Sequence, residues 1–260
     1  MKLATWNVNS LKVRLPHVLK WLAENPVDVL CLQETKQQDD DFPQAELLAA
    51  GYHSIFSGQK TYNGVAILSR EPAGDVQYGI PDYADDQKRV IAATFTSGSI
   101  ASDRIRVVCV YVPNGQSVDS DKYYYKLGWL SALREWLRDE LTRHPKLVAL
   151  GDYNIAPEDR DVHDPVAWQG SVLVSEAERI QFQNLIKLGL HDSFRLFEQA
   201  EKSFTWWDYR MMAFRRNHGV RIDHALVSEP LVAQCKSCVV DKAPRKLERP
   251  SDHAPVVVEL

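Results

Sequence analysis

The chain has little of what would place it in a membrane, a disulfide-bonded class or a disordered class. No apolar run is long enough to cross a bilayer, and the N-terminal "MKLATWNVNS" reaches polar residues too early for a secretory leader. Cysteine is scarce, with four in 260 residues. Cys31 and Cys109 lie inside apolar runs and read as small buried side chains. Cys235 and Cys238 have the spacing of half a zinc site or of a redox motif. No second Cys or His pair at zinc-finger spacing accompanies them, and no helix start follows, so they read as structural. Low-complexity tracts and short solenoid repeats are absent. Positive charge is not in excess either, since the formal net charge is −4. That excludes a surface basic all over, but not nucleic acid, because affinity follows the local field at a site. A cytoplasmic protein with no membrane contact is expected.

What is present is an ordinary globular balance, 45 % apolar and 25 % charged. Short runs rich in β-branched residues recur: "LATWNV", "VDVLCLQ", "GVAILS", "RVIAATF", "IRVVCVYV", "KLVALGD", "IDHALVS" and "APVVVEL". Their length and composition predict strands. Three stretches carry helical spacing. Leu15, Val18, Leu19 and Leu22 share one face, as do Leu127, Leu130, Leu133, Leu137 and Leu141. A third pattern carries Ile180, Leu185 and Leu188 and runs into Gly189, a C-terminal stop. Strands outnumber helices and do not alternate with them strictly. The expectation is therefore an α/β sandwich of two mainly antiparallel sheets flanked by helices, not a doubly wound parallel sheet. Motifs spread from residue 7 to residue 253 imply one domain built from residues 1–260.

The informative pattern is an uncommon polar residue arriving repeatedly where a strand ends. "ATWNVN" alternates, so Asn7 and Asn9 share a face. "VLCLQET" ends on Glu34, and "VYVPNG" carries Tyr111 and Asn114. "LGDYN" ends on Asp152 and Asn154, two apart, which an extended backbone points the same way. "PSDHAPV" supplies Asp252 and His253. Each alone reads as a turn cap or a solvated strand end. Asp223 is the exception, because an acid inside the apolar run "GVRIDHALVS" needs a partner. Together they form a set rich in carboxylate and amide oxygens, which suits Mg²⁺ or Mn²⁺ better than zinc. Glu34 and Asp252 are the natural anionic ligands.

At these residues the chain resembles the exonuclease III family of DNA-repair enzymes, which includes apurinic/apyrimidinic (AP) endonucleases. The motifs that carry the resemblance are "WNVNSLKVR", "LCLQETK", "SGQKTYNGVAILSR", "VYVPNG", "LGDYNIAP", "TWWDYR", "GVRIDHALVS" and "RPSDHAPV", in family order over essentially the full length. The resemblance implies a four-layer α/β sandwich and Mg²⁺-dependent hydrolysis of DNA phosphodiesters, with Mn²⁺ as a substitute. It implies a monomer acting on double-stranded DNA with abasic sites, nicks, or recessed or blocked 3′ ends.

Carried over by position, the resemblance makes Glu34 a metal ligand, with Asn7, Asp152, Asn154, Asp252 and His253 at or beside the ion. Asp152 positions or deprotonates the attacking water, Asn154 orients it or binds the phosphate, and Tyr111 hydrogen-bonds a phosphate oxygen. His253 binds the same phosphate while paired to Asp223. Arg89, Asn114, Lys122, Arg216 and Ile222 fall where the family meets DNA, and Trp206 matches an aromatic lining the pocket for a displaced abasic sugar. Elementary chemistry supports these roles, since an Asp beside a His favours the charged imidazole. Geometry would favour Asp152 over a Tyr111 phenolate as the base if it reaches the water. In the extended "TWWDY" one Trp packs and the other faces the pocket, and Trp206 is expected there.

The chain departs from the family pattern in two places. Asn9 stands where some relatives have Asp, which weakens a second metal contact. The loop after the catalytic strand holds His163, Trp168 and Gln169, bulk that favours work at 3′ ends over abasic cleavage. Two alternatives have different consequences. A phosphoesterase for a small non-DNA substrate would ignore nicked DNA. An inert nucleic-acid-binding regulator would have lost some of Glu34, Asp152, Asn154, Asp223 and His253, all of which are present.

Overall fold

A computed structural model describes residues 1–96 and 104–260. In chain order the strands are β1 (Lys2–Asn7), β2 (Val29–Gln33), β3 (His53–Ser57), β4 (Val65–Ser69), β5 (Gly74–Tyr78), β6 (Val90–Thr96), β7 (Arg104–Tyr111), β8 (Leu147–Asp152), β9 (Leu190–Asp192), β10 (Asp223–Ser228), β11 (Ser237–Val240) and β12 (Val256–Glu259). The helices used below are α1 (Leu11–Glu24), α2 (Gln44–Ala49), α3 (Asp121–Arg143), α4 (Pro165–Trp168), α5 (Glu176–Ile186) and α6 (Ala213–Arg216). Among the described residues no helix is long and apolar enough to cross a membrane.

The strands form two six-stranded sheets, ordered β11-β12-β1-β2-β4-β3 and β5-β6-β7-β8-β10-β9. Each sheet contains one parallel pair, β1–β2 or β7–β8, and its other pairs are antiparallel. A parallel pair needs a long crossover, which α1 and α3 supply. This is the expected sandwich of mainly antiparallel sheets. Side-chain alternation divides each central strand between two cores. Leu3, Cys31, Ile67, Cys109, Leu150 and Val258 pack between the sheets. Ala4, Trp6 and Leu30 face Val18 and Trp21 of α1, while Val108, Ala149 and Leu226 face Leu130 and Leu137 of α3. The layer order is helix, sheet, sheet, helix.

Two helical expectations need correction. Ile180 of α5 is half exposed, and Phe182 takes the buried position with Leu185. In α3 the inward face begins at Tyr123 and continues through Lys126 and Trp129, while Leu127 is only partly covered. Gly189 ends the α5 pattern as expected, with φ 91°.

The same topology fixes where function can lie. The parallel strands β1 and β2, and β7 and β8, finish at one end of the sandwich. β10 runs antiparallel to β8 and starts there, with Asp223 opposite Asp152. β12 runs antiparallel to β1, so the segment before it enters from that end as well.

Candidate active site

Asn7 closes β1 on the face turned toward the second sheet and is fully buried. Its side-chain amide donates to Glu34 Oε1 (2.8 Å) and to Asp152 Oδ2 (2.9 Å), joining the two sheets. Glu34 follows β2 with φ 53°. That left-handed conformation costs a residue bearing a Cβ roughly 1–2 kcal/mol. It ends the strand and leaves the carboxylate at the sheet mouth.

Asp152 closes β8. A Cβ on the preceding Gly151 would lie 1.9 Å from the Val110 carbonyl oxygen, so only glycine lets the backbones approach there. Asn154 is not extended from Asp152 as the sequence suggested, since its φ is 49°. The two side chains meet through a turn instead: Asn154 N–H donates to Asp152 Oδ1 (2.9 Å), and its Nδ2 lies 3.3 Å from Oδ2. Asn114 Nδ2 donates to Asn154 Oδ1 (3.1 Å).

His253 and Asp223 supply the charge partner that the apolar run demanded. Nδ1–H of His253 donates to Asp223 Oδ2 at 2.9 Å, and Nε2 lies 3.9 Å from Asp152 Oδ2. The loop carrying His253 is tied to β1 by the Ser251 hydroxyl, which donates to the Asn7 carbonyl (2.6 Å). It is tied again by Trp6 Nε1, which donates to the His253 carbonyl (3.3 Å).

The electrostatics follow from burial and neighbours. Burial alone would lower the His253 pKa, but the Asp223 and Asp152 carboxylates overcome it and raise it to about 10. Burial raises the Asp152 pKa to about 7, against the pull of the His253 charge. The Tyr111 phenol is pushed well above its ordinary value by burial and then by Glu34 and Asp152, so it stays a protonated donor.

Glu34, Asp152 and His253 place ligand atoms within 4.8 Å of one another. His253 is an imidazolium by its pairing and has no lone pair to offer a cation. The donors left are two carboxylates with the amide groups of Asn7 and Asn154 beside them. Hard oxygens with few nitrogens fit Mg²⁺ or Mn²⁺.

Asp252 is not part of that group. Its Oδ2 accepts from Trp206 Nε1 (2.9 Å) and its Oδ1 from Asn9 Nδ2 (2.9 Å). Burial would raise its pKa, but the His253 charge and these hydrogen bonds hold it below the usual carboxylate value. Trp207 is fully buried, whereas Trp206 is half-buried. Trp206 packs with Val220, Ile222 and Trp168, the last carried by α4 in the loop after β8. His163 of that loop stacks on His218 at 4.7 Å, and Gln169 is exposed.

Of the sequence candidates for DNA contact, Ile222 is buried in the cluster beneath Trp206 and so offers no surface to DNA, and Asn114 is engaged with Asn154. Lys122 in the first turn of α3 and Arg216 at the end of α6 are exposed. Arg89 is committed inside the protein. Its guanidinium lies 4.6 Å from the Tyr111 ring centre and donates to the Tyr111 carbonyl (3.2 Å) and to Gln87.

Sequence reasoning missed Lys36, whose ammonium lies 2.8 Å from Glu34 Oε2 and also donates to Asn9 Oδ1. It also missed the buried pair Lys126–Glu178. Spacing held a signal for the latter. Lys126, Leu130, Leu133 and Leu137 follow a helical core period, and a lysine in such a series must be neutralised inside.

The chain is similar to known proteins over essentially its whole length. A model of the Endonuclease/Exonuclease/phosphatase family matches residues 4–253. The chain is 35 % identical over 270 residues to exodeoxyribonuclease III of Haemophilus influenzae, covering all of both chains. It is 52 % identical to a 3′ phosphatase from Neisseria solved with a product DNA hairpin, over all of this chain and 99 % of that one, at a TM-score of 0.94. An AP endonuclease from Archaeoglobus fulgidus is 42 % identical over 99 % of this chain and 98 % of its own, with a TM-score of 0.92.

Proposed function

The chain belongs to the endonuclease/exonuclease/phosphatase family, and we propose that it hydrolyses phosphoesters of double-stranded DNA at abasic sites and at recessed or blocked 3′ ends. It is a DNA-repair nuclease of the exonuclease III type, and the reading extends to one catalytic domain over residues 1–260, acting as a monomer. The observation that carries the mechanism is the convergence of Glu34, Asn7, Asp152, Asn154, Tyr111 and the Asp223–His253 pair at one end of the sandwich.

Glu34 and Asp152 would hold a divalent cation, Mg²⁺ by preference, which supplies positive charge against the phosphate oxygens. His253, kept cationic by Asp223, presents Nε2–H to a phosphate oxygen from the other side. Tyr111, kept neutral, donates its phenol proton as a hydrogen bond to the same group. Asp152 in its ionised form accepts the proton of the attacking water, and Asn7 and Asn154 hold its carboxylate in place. Asp252 steadies the Trp206 indole and Asn9 instead of ligating the cation.

Trp206, half-buried against the buried Val220 and Ile222, would present the apolar wall of a sugar pocket. The loop with His163 and Trp168 packs against that wall and favours 3′-end processing over abasic cleavage.

The test is an assay on three duplexes, one abasic, one with a 3′-phosphate and one with a plain recessed 3′ end. Each is run with Mg²⁺ and with EDTA. Cleavage is expected in the Mg²⁺ lanes and strongest on the last two duplexes. No product in any Mg²⁺ lane would end the nuclease reading, and equal or faster abasic cleavage would end the reading of the loop.

A further inference from the structure

Lys126 carries a buried charge that the chemistry above leaves unused. It lies on the inward face of α3 with no exposed surface, and Glu178 of α5 is equally buried. All three ammonium protons are committed. One goes to Glu178 Oε1, one to the backbone carbonyl of Asn154 (2.6 Å) and one to that of Asn114 (3.1 Å). These carbonyls belong to separate turns, one after β7 and one after β8. The side chains of the same two residues meet at the site, Asn114 Nδ2 to Asn154 Oδ1.

Asn154 holds a left-handed backbone, a conformation that persists only where its surroundings enforce it. Glu178 is itself fixed, since its carboxylate accepts from Leu173 N (3.0 Å), Ser175 N (3.1 Å) and the Ser175 hydroxyl (2.6 Å). An apolar side chain could fill this volume without the cost of burying two charges, so space-filling does not account for the pair.

We infer that Lys126 is a positioning residue for hydrolysis: its ammonium, anchored by Glu178, clamps the Asn114 and Asn154 carbonyls so that the Asn154 side chain stands correctly against Asp152. The inference rests on the reading that Asn154 and Asp152 manage the attacking water.

A double-mutant cycle on single-turnover hydrolysis of a 3′-phosphate duplex separates the two. Lys126→Met lowers the rate by about tenfold or more, because a small misplacement near the reacting atoms is costly. Affinity for the same duplex in EDTA stays within about twofold, since no DNA contact is removed. In an Asn154→Ala background the same substitution changes the rate by less than about twofold, because the group through which it acts is gone. Lys126→Met combined with Glu178→Gln removes both charges, avoids a bare buried carboxylate, and shows the same loss. Losses that multiply across the two backgrounds overturn the inference, as does a wild-type rate in the doubly substituted protein. A doubly substituted protein that does not fold overturns it too, because the pair is then a requirement of the fold and not of the site. An Asn154→Ala protein with full activity instead overturns the reading beneath it.

Discussion

His253 carries its charge inside the protein because two carboxylates face it, and that pairing has a sign that can be checked against pH. Its pKa in the fold, about 10, lies above the ordinary value of about 6.5. The stabilisation is complete below that ordinary value and drains away as pH rises toward 10. Catalysis should follow the same limb, rising as Asp152 ionises and holding until His253 loses its proton. In Asp223→Asn the main partner is gone and burial dominates, so the alkaline limb should move to neutral pH or below. A pH–rate profile for both proteins checks this, and an unmoved limb would remove the role given to the pair. At this scale the sequence spoke through residues that were chemically out of place. Asp223 in an apolar strand asked for a partner, and alternation separated Trp206 from Trp207. Asp252 and His253 were not separable in that way, because they sit on a turn before β12 where no period governs direction. One reaches Asp223 while the other reaches Trp206 and Asn9.

At the scale of elements, the strands foreseen from apolar runs are the interior strands of both sheets. The four missed are β3, β5, β9 and β11, and each is an edge. An edge strand is half solvated and short, so its sequence carries mixed polarity in place of a β-branched run, as "GDVQY" of β5 does. The interior strands are also where the site is built, so the missed elements hold none of the proposed catalytic residues. Glycine at the end of β8 is an element-scale requirement. Gly151→Ala would drive a methyl group into the Val110 carbonyl and force the parallel β7–β8 pair apart. The expected loss is about 1–3 kcal/mol or more, the range for overpacking. Chemical denaturation would measure it, and a wild-type midpoint would contradict the close approach. Lys126 and Glu140 of α3 were the opposite case. They are charged residues on a helix face that the leucine spacing implied to be apolar, and each is neutralised within the fold, by Glu178 and Arg106.

At the scale of the whole molecule, two sheets place the ends of four central strands and the starts of four antiparallel ones at one edge of the sandwich. Residues 7, 34, 152, 223 and 253 become neighbours only through that topology, and no local window of sequence contains the site. The resemblance of eight motifs in order, not the spacing within any one, made the site legible in advance. A net charge of −4 does not conflict with a DNA substrate, because affinity follows the local field at a site and not the total charge. If the exposed Lys122 and Arg216 each neutralise one phosphate, log K for duplex DNA should fall against log salt with a slope of about −2. A slope near zero in a fluorescence titration would refute that footprint.

In the proposed reaction Asp152 removes a proton from water attacking a DNA phosphoester beside a divalent cation. Single-turnover hydrolysis of a 3′-phosphate duplex by the wild-type protein and by Asp152→Asn, both in Mg²⁺, tests it most directly. The expected result is a loss of about 10²–10⁴-fold in rate, the usual contribution of a general base, with duplex affinity retained. A rate in Asp152→Asn within a few fold of wild type would contradict it.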